Sequence, residues 1–122
     1  MNHSPGFLKI CEEAKKKVKE MSVEEVFKRL SNGEKFHFVD VREDNEWLEG
    51  RAKGAKHIGK GIIERDIEVL IPNKEAEIVL YCGGGYRSAL AAEVLQKMGY
   101  KNVISMDGGI KAWREKNYPQ EK

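Results

Sequence analysis

The chain has 122 residues, enough for one domain with its own core and no disulfide staples. Its 22 basic and 20 acidic residues leave a net charge of +2 spread along the sequence, which argues against a dedicated nucleic-acid or membrane surface. Cys11 and Cys82 stand far apart with neither disulfide-framework nor zinc spacing, no apolar run approaches the ~20 residues of a membrane span, and residues 1–7 lack a basic stretch ahead of an apolar core. The expectation is a soluble, cytoplasmic protein in a reducing compartment.

Phe7, Cys11, Ala14, Val18 and Met21 recur at spacings of four and three, which predicts a helix over 7–21 with one apolar stripe. Cys11 lies in that stripe and reads as a small buried hydrophobe, because no histidine, arginine or glycine loop surrounds it. Residues 1–21 are therefore taken as a helical extension, 22–119 as the main domain and 120–122 as a charged tail. Ser22 followed by Glu25 has the form of a capping box, and Val23, Val26, Phe27 and Leu30 give a short amphipathic helix ending near Asn32 and Gly33.

Residues 36–41 are too apolar and β-prone for a half-wet edge, so they read as a buried strand whose tail carries opposite charges at Asp40 and Arg42. His37, alternating with two phenylalanines, faces away from them. Residues 43–49 read as a short helix with Trp47 and Leu48 turned inward. The glycine-rich, basic stretch 50–61 reads as loop with a very short strand around 55–58, followed by a turn or two of helix before Pro72. A second strand covers 77–82, a helix 87–98 with Leu90, Val94, Leu95 and Met98 on one face, a last strand 102–106, a turn at Asp107, Gly108 and Gly109, and a closing helix 110–117 containing Trp113.

Apolar strands alternating with helices imply an α/β fold, a mainly parallel sheet covered by helices on both faces. Ligands bind such sheets beyond the C-terminal ends of the strands, where Cys82, the Asp40 and Arg42 pair, and Asp107 all fall. Cys82 is followed by Gly83, Gly84, Gly85, Tyr86, Arg87 and Ser88. Glycines cost roughly 0.5–1 kcal/mol each relative to alanine in regular structure, so three in a row imply a tight bend or a close approach. Backbone amides curled inward form a nest for negative charge, the next helix adds its N-terminal dipole, and Arg87 adds a forked cation. Such surroundings favour a thiolate at Cys82 without a histidine. Ser88 stands where it can cap the helix that follows.

At these residues the sequence resembles the rhodanese family, over about 22–118. The ordered pieces are Asp40-Val41-Arg42-Glu43, residues 46–50, Gly54-Ala55-Lys56-His57-Ile58, residues 82–88, and Asp107-Gly108-Gly109-Ile110-Lys111-Ala112-Trp113. The resemblance implies a rhodanese-like three-layer sandwich and a sulfurtransferase that moves a sulfane sulfur from a donor such as thiosulfate to cyanide or a thiol through a Cys82 persulfide. It implies no metal and no organic cofactor. Partners would be a small sulfur donor and a thiophilic acceptor, a thiol protein among the candidates. In this resemblance residues 83–87 are the active-site loop, Ser88 adjoins it, and Asp40, Arg42 and Asp107 support the site. Four residues separate Cys82 from Arg87, whereas related phosphatases carry a longer loop and a histidine where Tyr81 stands. The alternatives are a non-catalytic persulfide carrier or interaction module and, behind them, a phosphatase or arsenate reductase. The sequence departs from many relatives in lacking a histidine in residues 50–55, and His57 is the nearby one. Lys60 and Arg65 are candidate rim charges for an anionic donor.

Overall fold

The computed structural model of the chain describes residues 3–122. In chain order the elements are α1 (Pro5–Lys17), β1 (Lys19–Ser22), α2 (Val23–Ser31), β2 (His37–Asp40), α3 (Asp44–Glu49), β3 (Arg51–Ala52), β4 (Lys56–His57), α4 (Ile63–Leu70), β5 (Glu77–Tyr81), α5 (Tyr86–Lys97), β6 (Asn102–Asp107), α6 (Gly109–Glu115) and β7 (Gln120–Glu121). Five strands form one sheet in the order β1-β6-β5-β2-β4, and every pairing in it is parallel. β3 and β7 form a separate antiparallel pair.

Strand parity builds two cores from one sheet, since successive side chains point to opposite faces. Ile78 and Leu80 of β5 join Ala14, Val18, Ile63, Ile67, Ala89, Ala92 and Leu95 on the side of α1, α4 and α5. Val79 and Tyr81 join Val23, Val26, Phe38, Ile110 and Trp113 on the side of α2 and α6. The sheet is thus covered on both faces, the three-layer α/β arrangement expected from the sequence.

Several elements differ from their sequence reading. The first helix stops at Lys17 rather than continuing to residue 21, because Lys19–Ser22 pairs with β6, Met21 opposite Met106. Val18 and Met21 are both buried, but in different cores, as a strand requires of residues three apart. Gln120–Glu121 pairs with Arg51–Ala52, so that part of the tail is held in a ladder. Leu48 is 71% exposed rather than turned inward. α3 is too short to bury a full face, and Trp47 takes the available packing by stacking on His57, ring centroids 4.9 Å apart, and under the Arg51 guanidinium. In α5 the buried positions are Ser88, Ala89, Ala91, Ala92 and Leu95. Of the predicted face Leu95 is buried, whereas Leu90, Val94 and Met98 are only half-buried, and α1 packs across α5.

α2 begins as its sequence predicts, with Ser22 Oγ accepting from the Glu25 amide at 3.1 Å. A reciprocal capping box forms instead at α3, where the Glu43 side chain accepts an amide of the first turn and Glu46 Oε1 accepts from the Glu43 amide at 3.1 Å.

Candidate active site

β5 ends at Tyr81, and the chain turns through Cys82 and three glycines into α5. Gly85 is the residue before the helix, with φ +99°, a left-handed conformation that favours glycine. A Cβ there would also lie 3.2 Å from the Gly108 amide nitrogen. The turn aims the Gly85 amide at Cys82 Sγ from 3.2 Å and the Ser88 amide from 3.3 Å. Two N–H donors on one sulfur, at the first turn of a helix, stabilise negative charge on it. Ser88 does not cap α5. Its hydroxyl is buried 3.5 Å from Sγ and 2.8 Å from Ser105 Oγ, which links the loop to β6.

Asp40 and Arg42 close the neighbouring strand end. Arg42 Nε and Nη2 donate to the Asp40 carboxylate at 2.9–3.1 Å, and Nη2 also donates to the Gly50 carbonyl at 2.7 Å. Both side chains are buried, and their mutual hydrogen bonds offset the cost of burying the charges. His57 Nε2 donates to the Arg42 carbonyl at 2.8 Å, so the histidine braces this turn. Burial pushes the Tyr81 phenol up and keeps it protonated, and its oxygen accepts from the Ala52 amide at 3.1 Å.

Arg87 does not stand free over the loop. Its guanidinium donates to both oxygens of Glu46 at 2.7 and 3.1 Å, clamping α3 against α5. This pairing holds the Glu46 carboxyl below its usual range and raises Arg87. Asp107 lies outside the sulfur's immediate surroundings, with its side chain 58% exposed and bonded to Lys15 Nζ at 3.2 Å. It ties α1 to the end of β6.

A cleft of about 690 Å³ opens above Cys82, lined by His3, Phe7, Arg42, Glu46, Gly83, Gly84, Tyr86, Arg87, Ile110, Lys111, Arg114 and Glu115. Gly83, Gly84, Tyr86 and Arg87 thus reach it with the cysteine, whereas the candidate rim charges Lys60 and Arg65 do not. Arg65 sits between Ile63 and Ile67, whose burial turns it to the outer face of α4, where it pairs with Asp66. Lys60 docks its amide on the Val41 carbonyl at 3.0 Å, and its charge opposes the rise that burial and Cys82 impose on the Cys11 thiol. Arg42 and Arg87 on the cleft are paired with Asp40 and Glu46, and the further cations there are Lys111 and Arg114 of α6. Arg114 was missed, and Lys111 entered only as part of the segment from Asp107 to Trp113, because both sit just beyond the turn on a short helix whose charges carry no local sign of where they point. His3 and Phe7 were missed because the first helix gave no sign of where it docks.

α6 completes the floor. Its Ile110 and Lys111 amides donate to the Cys82 and Gly83 carbonyls at 2.9 and 3.0 Å. A Cβ on Gly109 would lie 2.5 Å from both carbonyl oxygens, so only glycine permits this approach. Among the described residues no cluster of histidine, cysteine, aspartate or glutamate could hold a metal ion, and no helix is long and apolar enough to cross a membrane.

The chain is 34% identical over 103 residues to the "Putative sulfurtransferase YtwF" of Bacillus subtilis, covering 84% of this chain and 97% of that protein. It is 31% identical over 102 residues to a sulfurtransferase of Allochromatium vinosum, covering 84% and 94% of the two chains. A solved structure of a Rhodopseudomonas palustris protein of unknown function, described as a possible tyrosine phosphatase, superposes with a TM-score of 0.88 at 28% identity, covering 99% of this chain and 98% of that one. These sulfurtransferase relatives support sulfur transfer in general. The family model for the rhodanese-like domain matches residues 22–116, most of the sequence, and the chain belongs to the rhodanese family.

Proposed function

We propose that the protein is a sulfurtransferase that carries sulfane sulfur as a persulfide on Cys82. The observation that carries this reading is the Cys82 sulfur at the floor of the cleft, receiving the Gly85 and Ser88 amides at 3.2 and 3.3 Å. The Cys82 thiolate attacks the outer sulfur of a donor such as thiosulfate. The donor's S–S bond breaks, sulfite leaves with the electron pair, and Cys82 keeps the sulfur as a persulfide. An acceptor, cyanide or a thiol of a small molecule or protein, then takes the outer sulfur, and the thiolate returns. The loop amides are the groups that stabilise the anionic sulfur through the cycle. The step needs no metal or organic cofactor. It does need a free thiol, which fits the reducing cytoplasm.

Intact mass after incubation with thiosulfate tests the reading. The wild type gains one sulfur atom, loses it on addition of cyanide, and releases thiocyanate, while Cys82→Ser gains none and turns over nothing. Sulfur loading retained in Cys82→Ser would sink the assignment. Hydrolysis of an aryl phosphate with no sulfur loading would instead assign the site to phosphate chemistry.

A further inference from the structure

We propose that an aromatic wall built by His3, Phe7 and Tyr86 makes this cleft selective for organic sulfane donors with an apolar, ring-bearing body and one anionic group. The inference rests on the sulfur-transfer reading of Cys82. α1 lies across α5, tied to it by the ion pair of Lys17 with Glu93 and to the end of β6 by that of Lys15 with Asp107, so the start of the chain reaches over the active-site loop. His3 and Tyr86 have ring centroids 4.7 Å apart, His3 and Phe7 5.2 Å, and Phe7 and Tyr86 6.4 Å, a range in which tilted rings attract. The Lys15 ammonium stands 5.4 Å from the Tyr86 centroid and helps to fix that ring. His3, Phe7 and Tyr86 all line the cleft with Cys82.

The same cleft is also lined by cations, and their surplus is small. Arg42 is taken by Asp40 and Arg87 by Glu46. Lys111 and Arg114 have no carboxylate partner among the described residues, and Glu115 stands beside them on the cleft. About one positive charge is therefore left for a ligand. Thiosulfate is a dianion without apolar surface, so it gains nothing from the rings and fills a minor part of about 690 Å³, a volume within the range of roughly 300–1,000 Å³ that accommodates organic ligands. A monoanionic organic thiosulfonate or persulfide covers the rings with its body and places its charge near α6.

Benzenethiosulfonate is a suitable probe. The Cys82 thiolate attacks its terminal sulfur, benzenesulfinate leaves with the electron pair of the broken S–S bond, and cyanide then removes the sulfur as thiocyanate. Methanethiosulfonate undergoes the same reaction without a ring. The quantity to measure is the ratio of kcat/KM for the benzene over the methane donor, in the full-length wild type, Phe7→Ala and Phe7→Leu. Loss of one aromatic contact is expected to lower the ratio about fivefold in both variants. Phe7→Leu keeps apolar packing under α1, so it decides the matter if Phe7→Ala does not fold. A ratio unchanged in Phe7→Leu, with Cys82 still loaded by both donors, would overturn the aromatic wall and leave sulfur transfer standing. Failure of the wild type to accept sulfur from either donor would overturn both.

Discussion

Glu46 spends its two oxygens on two tasks, capping α3 through the Glu43 amide and holding the Arg87 guanidinium over the loop. Its carboxyl is held below the ordinary glutamate value of about 4.3. A depressed folded-state pKa contributes stability that is present above the unfolded value and is lost as the pH falls through the folded one. Both side chains are close to a third exposed, which limits the worth of the pair to about 1 kcal/mol. Glu46→Gln, which still accepts the cap hydrogen bond, is expected to lower the urea midpoint at pH 7. Its deficit against the wild type should shrink steadily between about pH 5 and pH 3. A deficit that stays constant across this range would mean that the pair contributes no net electrostatic stability. At this scale the sequence was informative about the cysteine and the arginine, because a glycine loop and a cation leave a local signature. It was silent on Glu46 as the partner of Arg87, because 41 residues separate them and neither carries a mark of the other.

The α6 element is held by its first turn against the loop, and Gly109, with φ +55°, is the point of closest approach. Gly109→Ala adds a methyl group into two backbone carbonyls that have no side-chain freedom to move away. A cost of about 3 kcal/mol is expected, read as a lower urea midpoint, and sulfur loading of Cys82 should fall further than the loss of folded protein explains. Equal losses would mean that the contact is structural alone. The helices were legible through their period, and β2, β5 and β6 through their continuous apolar, β-prone runs. β1 was not, since its four residues extend a helical spacing without a break, and only pairing with β6 pulls them out of it. β4, also of two residues, was legible as the very short strand around 55–58, whereas β3 fell in what reads as loop and β7 in what reads as a charged tail.

Across the whole molecule, α1 is packed on α5 rather than appended to it. Cys11 and Ala14 are both fully buried there, and burial pushes the Cys11 thiol up so that it stays protonated. The reading of Cys11 as a small hydrophobe therefore agrees with its packing, although the sequence did not say which surface it would meet. Ala14→Leu forces extra volume between α1 and the sheet-side helix, and a destabilisation of about 1–3 kcal/mol is expected in urea unfolding. A variant as stable as the wild type would mean that α1 rides loosely on α5.

The docking of α6 has one more effect, on the field that an incoming anion meets. A peptide group that turns its amide inward can also turn its carbonyl inward after a small rotation of the backbone, and that oxygen would repel a negatively charged sulfur. The Cys82 and Gly83 carbonyls cannot make this exchange while the α6 amides hold them. These two peptide groups are therefore fixed in orientation before any substrate arrives, and they need no reorganisation when charge develops on the sulfur.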